Sequence, residues 1–335
     1  MAVTPQTNTT LEAMADRMRA CDDFVLCGHV NPDGDCLGSQ LALMHALHAI
    51  GKRAACILVE PDSVDLGLRF LPGVSDMKAA ADFDGPAATF VACDVPTTAR
   101  LGAAADIQSR AQMRFTVDHH AADASMSECN YVDPDAPACG MIVWELAKLL
   151  AGDAVPAASA ICCYTALMTD TGRFQYQNTT PAALCAATEM VEAGADPALV
   201  SSEVYQSRSF ASLMLEKAML ENVTVAEDGL WAFSYLHKGD FDRLGAVKAD
   251  AEPLVDIVRS LAGVRVACML REQPDGVRGS LRAKGEEIDV SELARAIGGG
   301  GHRAAAGFTF EGALDEAIAA LPAHLDALVA KAGLR

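Results

Sequence analysis

Apolar residues in the first 120 positions fall into short dense runs, separated by polar or glycine-bearing stretches and by one longer run of helical spacing. Phe24–His29, Ala54–Val59, Thr89–Asp94 and Arg114–His120 are too short for helices and carry β-branched or aromatic residues, which predicts buried strands. Asp35–Gly51 places Leu37, Leu41, Met44, Leu47 and Ile50 on one stripe and stops at Gly51, which predicts an amphipathic helix. Strands alternating with helices predict βαβ units, hence an α/β fold with a mostly parallel, doubly wound sheet. Further helices are expected at Met141–Leu150 and Ala157–Met168. Thr180-Pro181 and Asp196-Pro197 each pair an N-cap residue with proline at the first helical position, and Gly194 closes the first of these helices.

A smaller α/β unit is predicted from Val223 onward. It comprises a strand at Trp231–Leu236 and a hairpin over Arg265–Lys284 that turns at Pro274-Asp275-Gly276. A helix from Asp289 then runs into Gly298–Gly301, followed by a strand at Ala304–Phe310 and a terminal helical region interrupted at Pro322. The expected organisation is a domain over 1–195, a helical linker over 196–222 with a break near Tyr205–Phe210, and a second domain over 223–335. The length of 335 residues agrees, at roughly 150 residues per domain.

Composition narrows the function classes. Hydrophobic residues make up 51% and charged residues 21%, enough apolar material to exclude disorder over most of the chain. Lys and Arg number 26 against 45 Asp and Glu, a net charge of −19. That balance excludes a general grip on long duplex nucleic acid and on anionic membranes. A small anionic substrate fits where metal ions or local arginines reverse the sign. The N-terminus has no basic-then-apolar leader, and no apolar run approaches the ~18 to 20 residues of a membrane span. Eleven cysteines, an odd number without C-x-x-C spacing, predict a reducing, cytoplasmic setting.

The polar residues between the runs carry the chemistry. His29 ends the first predicted strand, with Asp33 and Asp35 just beyond it; Asp94 ends the third; Asp118, His119 and His120 end the fourth. Residues at the carboxyl ends of parallel strands share one rim, where open α/β sheets bind ligands. Asp170, after the helix Ala157–Met168, is a candidate to join them. A single Asp after a strand is ordinarily a turn or cap, and Asn31-Pro32-Asp33-Gly34 alone reads as a turn. The combination is different: His29, Asp33, Asp35, Asp94, His119 and Asp170 put four carboxylates and two imidazoles in one place, which requires cations. Oxygen and imidazole ligands without thiolate suit Mn²⁺, with Mg²⁺ also possible. Two such metals ~3.5–4 Å apart and bridged by a carboxylate make a phosphoester-cleaving centre.

Gly298–Gly301 admits two readings, a flexible helix exit or a nest of backbone N–H groups that cradles a phosphate. Ser280, Arg282 and Arg303 form a local donor set in an otherwise acidic chain.

These motifs resemble the DHH phosphoesterases. His29-Val-Asn-Pro-Asp33-Gly-Asp35 with Leu37-Gly38-Ser39 resembles their first motif, Cys93-Asp94 the second and Asp118-His119-His120 the third. Thr169-Asp170-Thr171-Gly172 with Phe174 and Asn178-Thr179 resembles the fourth. The resemblance implies that His29, Asp33 and Asp94 hold one metal. Asp35, Asp94, His119 and Asp170 would hold the other, with Asp94 bridging. It also implies a catalytic group of Asp94, Asp118 and His120, in which His120 meets the phosphate or leaving group and Asp118 orients an imidazole. Residues 277–308 are similar to the DHH-associated C-terminal domain, which implies nucleotide contacts from Ser280, Arg282, Gly299, Gly300, Gly301, His302 and Arg303. In that family the helical linker lets the domain close over the metals.

The chain leaves no room for the oligonucleotide-binding modules of RecJ-type exonucleases, and Gly298–His302 sets it apart from the manganese pyrophosphatases. What remains resembles the compact bacterial group that degrades RNA of a few nucleotides (nanoRNase) and dephosphorylates 3′-phosphoadenosine 5′-phosphate (pAp). The resemblance also suggests a homodimer. Two rival expectations stand beside it: a phosphodiesterase dedicated to linear or cyclic dinucleotides such as pApA, pGpG or c-di-AMP, and a nucleotide-binding sensor without turnover.

Overall fold

The computed structural model describes residues 6–60, 64–121, 124–285, 287–301 and 303–335. The expectation for His302 therefore lies outside the described residues. The chain divides into two compact units, the first ending at Ser207 and the second starting at Arg208.

The first unit runs α1 (Leu11–Arg19), β1 (Phe24–Cys27), α2 (Gly34–Ala49), β2 (Ala54–Leu58), β3 (Lys78–Ala79), β4 (Thr89–Cys93), α3 (Ala104–Arg110), β5 (Met113–Asp118) and β6 (Cys129–Val132). The helices α4 (Cys139–Ala151), α5 (Ala157–Asp170), α6 (Pro181–Glu192) and α7 (Pro197–Gln206) complete it. Among the described residues its sheet has the order β3-β2-β1-β4-β5-β6, with every pairing parallel. The expected parallel α/β architecture is what forms. Strand order reverses between β1 and β4, and the crevice beyond that reversal is where this topology binds ligands. The two strands the sequence pattern does not disclose, β3 and β6, are short edge strands. β3 has two residues, and β6 follows a polar stretch with no alternation to mark it.

α2 departs from the predicted single stripe. Nearly every residue from Gly34 to Leu47 is buried, because the sheet lies on one side and α4 and α5 on the other. A helix covered all round loses the polar face that periodicity analysis relies on.

The second unit contains α8 (Phe210–Leu220), β7 (Thr224–Val225), β8 (Trp231–Leu236), α9 (Lys238–Leu244), α10 (Leu254–Arg259), β9 (Val266–Gln273) and β10 (Gly276–Ala283). It continues with α11 (Val290–Ala296), β11 (Gly300–Gly301), β12 (Ala305–Phe310) and α12 (Leu314–Lys331). Its sheet has the order β11-β12-β10-β9-β8-β7 and is antiparallel except for β8 against β9. One face packs Val266, Cys268, Val277, Leu281 and Phe308 against α11 and α12. The other packs Ala267 and Met269 of β9 under α8 and α10.

The predicted interruption at Pro322 does not occur; α12 runs through it. Leu314, Ala317, Leu321, Leu325 and Leu328 stay in phase on the buried side. That continuous apolar stripe outweighs the lost backbone hydrogen bond and ring clash, a cost of about 3 kcal/mol in an unsupported helix.

Candidate metal centre

Asp33 shows how one residue serves both readings of its loop. It is the N-cap of α2: one carboxylate oxygen accepts the Cys36 N–H at 3.0 Å. The other, Oδ2, lies 3.8 Å from His29 Nε2. The cap fixes the carboxylate and leaves half of it for the cluster.

Asp35, the second residue of α2, is only 1% exposed. Its oxygens accept the backbone N–H groups of Cys139 (2.7 Å) and Gly140 (2.8 Å) and the Ser39 hydroxyl (3.0 Å). Cys139 and Gly140 open α4, which has no side-chain cap of its own, so Asp35 takes that place at the positive end of a 13-residue helix. The approach is close: a Cβ on Gly140 would lie 2.3 Å from Ala166 Cβ, and one on Gly34 would lie 2.5 Å from Thr169 Oγ1. These glycines let the start of α2, the start of α4 and the end of α5 converge.

Asp94 is the centre of the arrangement. It follows β4 with a left-handed backbone (φ 59°), a conformation that Asp tolerates better than most residues. It is 2% exposed. Oδ2 faces His29 Nε2 at 3.4 Å, while Oδ1 faces His119 Nε2 at 3.5 Å and His120 Nδ1 at 3.2 Å. Oδ1 is nonetheless buried without a hydrogen-bond partner of its own. His119 Nε2 also lies 3.5 Å from Asp35 and 3.4 Å from Asp170, while its Nδ1 is 3.2 Å from the Ala136 carbonyl. Asp118 Oδ1 accepts the backbone N–H groups of His119 (2.7 Å) and His120 (3.1 Å) and meets His120 Nδ1 at 2.8 Å. Beyond Asp170, Gly172, Arg173 and Phe174 all have positive φ, a strained turn beside the cluster. Phe174 against Tyr164 and Arg173 over the Tyr205 ring hold it in place.

The six predicted ligands thus lie together, and their electrostatics are those of a crowded anion site. Burial and the Asp94 charge push Asp35 up to about 7. Burial and the charges of Asp35, Asp33 and Asp94 push Asp170 well above the usual carboxylate range. Burial opposes charging of Asp94, but His120, His29 and His119 outweigh it and hold Asp94 low. Burial likewise disfavours the charged imidazoles, yet Asp94 and Asp33 raise His29 to about 8, and Asp118 and Asp94 raise His120 to about 11. Four carboxylates against two imidazoles among the six, with a buried carboxylate oxygen lacking a partner, form a donor set that fits divalent cations. The groups Asp94–His119–His120 and Asp35–His119–Asp170 each present ligand atoms within 4.8 Å of one another.

A third such group, His29–Cys36–Asp94, contains a residue the sequence analysis passed over. Cys36 is fully buried, and its Sγ accepts the His29 N–H at 3.2 Å. Its position directly after Asp35 was the one available signal.

The remaining candidates are in the second unit. Ser280 and Arg282 are half-buried on β10. Arg303 is exposed, and its carbonyl accepts the Val290 N–H at 2.9 Å. The glycine run divides between the two readings. Gly298 (φ 84°) and the Gly299 N–H, bonded to the Ala294 carbonyl at 2.7 Å, end α11. Gly300 and Gly301 form edge strand β11 against β12. A Cβ on Gly299 would meet the Gly307 carbonyl at 2.1 Å, and one on Gly301 would meet Ala306 Cα at 2.6 Å. Both glycines are required by close strand approach. Gly300, where a Cβ would meet nothing within 4 Å, is not.

The fold, the cluster and the sequence comparisons agree. A model of the DHH family, N-terminal domain, matches residues 23–169, and a DHHA1 domain model matches residues 232–331. The chain belongs to the DHH family, whose phosphoesterases are metal-dependent. It is 30% identical over 309 residues to the bifunctional oligoribonuclease and PAP phosphatase NrnA of Thermus thermophilus, covering 92% of this chain and 90% of that protein. The protein of the same name from Bacillus subtilis is 26% identical over 290 residues, covering 85% and 88%. A crystal structure of an exopolyphosphatase-related protein from Bacteroides fragilis superposes with a TM-score of 0.87 at 26% identity, over 95% of each chain. Among the described residues no helix is long and apolar enough to cross a membrane.

Proposed function

We propose that this protein is a two-metal, manganese-type phosphoesterase that hydrolyses short oligoribonucleotides and pAp to nucleoside monophosphates. The observation that carries the reading is Asp94. Its two oxygens face different imidazoles, His29 on one side and His119 on the other, as a bridging carboxylate requires. His29, Asp33 and Asp94 would hold one ion; Asp35, Asp94, His119 and Asp170 would hold the other. Bound divalent ions supply Lewis acidity toward phosphoryl oxygens and neutralise charge that develops there. The chain supplies the rest. Asp118 orients His120 through the contact with its Nδ1, which suits the imidazole to donate to a phosphate or leaving-group oxygen. Residues 1–195 form the catalytic domain in this reading and 223–335 the nucleotide-holding domain, with 196–222 as the linker, whose helices α7 and α8 belong to the first and second compact unit respectively. There Ser280, Arg282, Arg303 and the glycine strand contact phosphate. The eleven cysteines, all free, accord with action in a reducing cytoplasm.

The substrate class rests on the relatives, so substrate is what the experiment reads. Purified protein with Mn²⁺ is given pAp, linear dinucleotides and RNAs of two, three and seven nucleotides. The expected result is EDTA-sensitive release of mononucleotides from pAp and from the shortest RNAs, with the seven-nucleotide RNA slowest. Turnover of linear dinucleotides alone would assign the enzyme to dinucleotide clearance instead. No hydrolysis of any phosphate ester would overturn the proposal.

A further inference from the structure

Arg271 is an arginine where an apolar residue would be expected. It lies on β9 in the second unit, 3% exposed, at the end of the face that packs Ala267 and Met269. Its Nη1 donates to Glu252 Oε1 at 2.7 Å and its Nη2 to Ser280 Oγ at 3.1 Å, while its Nε is buried with no hydrogen-bond partner. Burying a guanidinium costs several kcal/mol, and a well-packed apolar residue usually serves stability as well or better. A guanidinium left with an unused buried donor is poor structural economy and calls for another account.

The contact with Ser280 provides one. Arginine only donates, so Ser280 Oγ must accept from Arg271. The single hydroxyl hydrogen is then left to be given elsewhere. On β10 the residues that share this face, Arg278, Ser280 and Arg282, are half-buried, and the apolar cluster covering β9 includes none of them. Ser280 lies opposite Gly307 of β12, which lies opposite Gly300 of β11. Gly307 and Gly300 therefore add no side chain of their own to the row outward from Ser280. A Cβ at Gly307 would come 2.7 Å from Arg278 Nη2, so the glycine makes room for that fork. Arg271, Arg278, Arg282 and a hydroxyl committed to donating line this part of the sheet, with the Arg278 fork lying over Gly307, in a chain of net charge −19.

We infer that Arg271 is a positioning residue: held by Glu252, it fixes the Ser280 hydroxyl as a hydrogen donor, so that Ser280 gives its hydrogen to a phosphate oxygen of the nucleotide substrate beside the Arg278 fork. This rests on the function proposed above and assigns to that reading a residue that itself stays out of contact with solvent.

The test is a double-mutant cycle in the full-length manganese-loaded enzyme, with KM and kcat measured on pAp. Arg271→Lys keeps the charge but offers one nitrogen where arginine offers a fork, so it cannot hold Glu252 and Ser280 together. Arg271→Lys and Ser280→Ala should each raise KM about tenfold, the size of one charge-linked hydrogen bond, with kcat lowered less than about twofold. The double variant should lose no more than the larger single loss, because both changes break one unit. Should the lysine variant not fold, Arg271→Met gives the same reading, and its loss should vanish in the Ser280→Ala background. Losses that multiply would overturn the inference. So would an Arg271 variant with lowered melting temperature and unchanged KM, since that describes a structural tie. A wild-type enzyme that ignores pAp and short RNA would instead defeat the proposed function.

Discussion

The two units assemble polar sites by opposite means. In the first, side chains from four separated segments meet, most of them in the interior: Asp35, Asp94 and Asp118 are at most 2% exposed, while Asp33 reaches the cluster from the surface. In the second, the candidate contacts sit on an open sheet face and an edge strand, where glycines bring backbone to the surface and arginines surround it. A buried crowd of like charges has no solvent to fall back on, so each member depends on the others and on cations. An open face shares its work between backbone and side chains, and the loss of one group is cushioned by water. Substitutions should therefore be near-lethal to turnover in the first unit and graded in the second.

The sharpest way to break that contrast is Asp94→Ala. It should lower kcat by ~10³-fold, the scale on which one preorganised charge-stabilising group acts, with circular dichroism unchanged. Wild-type-like turnover would remove the bridging role. Asp118→Asn comes next. Asp118 holds His119 and His120 in place rather than joining the six ligands, so the expected loss is roughly 10- to 100-fold in activity or metal affinity. In the second unit, Arg303→Ala should raise KM for pAp by about tenfold while a small ester such as bis-p-nitrophenyl phosphate is affected less. Equal losses on both would argue against phosphate anchoring. The smallest effects separate two adjacent glycines. Gly299→Ala drives a Cβ into the Gly307 carbonyl and should cost about 1–3 kcal/mol in denaturant melts. Gly300→Ala meets nothing and should stay within about 0.5 kcal/mol of wild type. A raised KM in the stable Gly300 variant would then report substrate approaching that strand.

The same contrast explains what the sequence made legible. His29, Asp94 and Asp118 stand at or just beyond the ends of β1, β4 and β5, and parallel topology carries strand ends to one rim whatever lies between. Asp33, Asp35, His119 and His120 follow from their nearness in sequence to those ends. What the pattern could not disclose depends on contacts across long stretches of chain. Asp35 is held by Cys139 and Gly140, and nothing local announces that the start of α4 lies against the start of α2. Arg271 looks like any charged residue near a hairpin until the register sets it opposite Arg278, from where its side chain reaches diagonally to Ser280. α9 and α10 span seven and six residues, too few for a helical period to repeat and be told from a short strand or loop. Pro322 was a misleading signal, because tertiary packing overrode a local rule.

The claim at the centre of this account is that Asp94 joins two cations in one buried cluster. The direct measurement is manganese content after equilibrium dialysis of the full-length protein, wild type beside Asp94→Ala. The account predicts about two ions per chain in the wild type, in line with a two-metal centre, and a loss of tight binding at both sites in the folded variant. A variant that keeps its full manganese complement at wild-type affinity, or a wild type that takes up none, would contradict it.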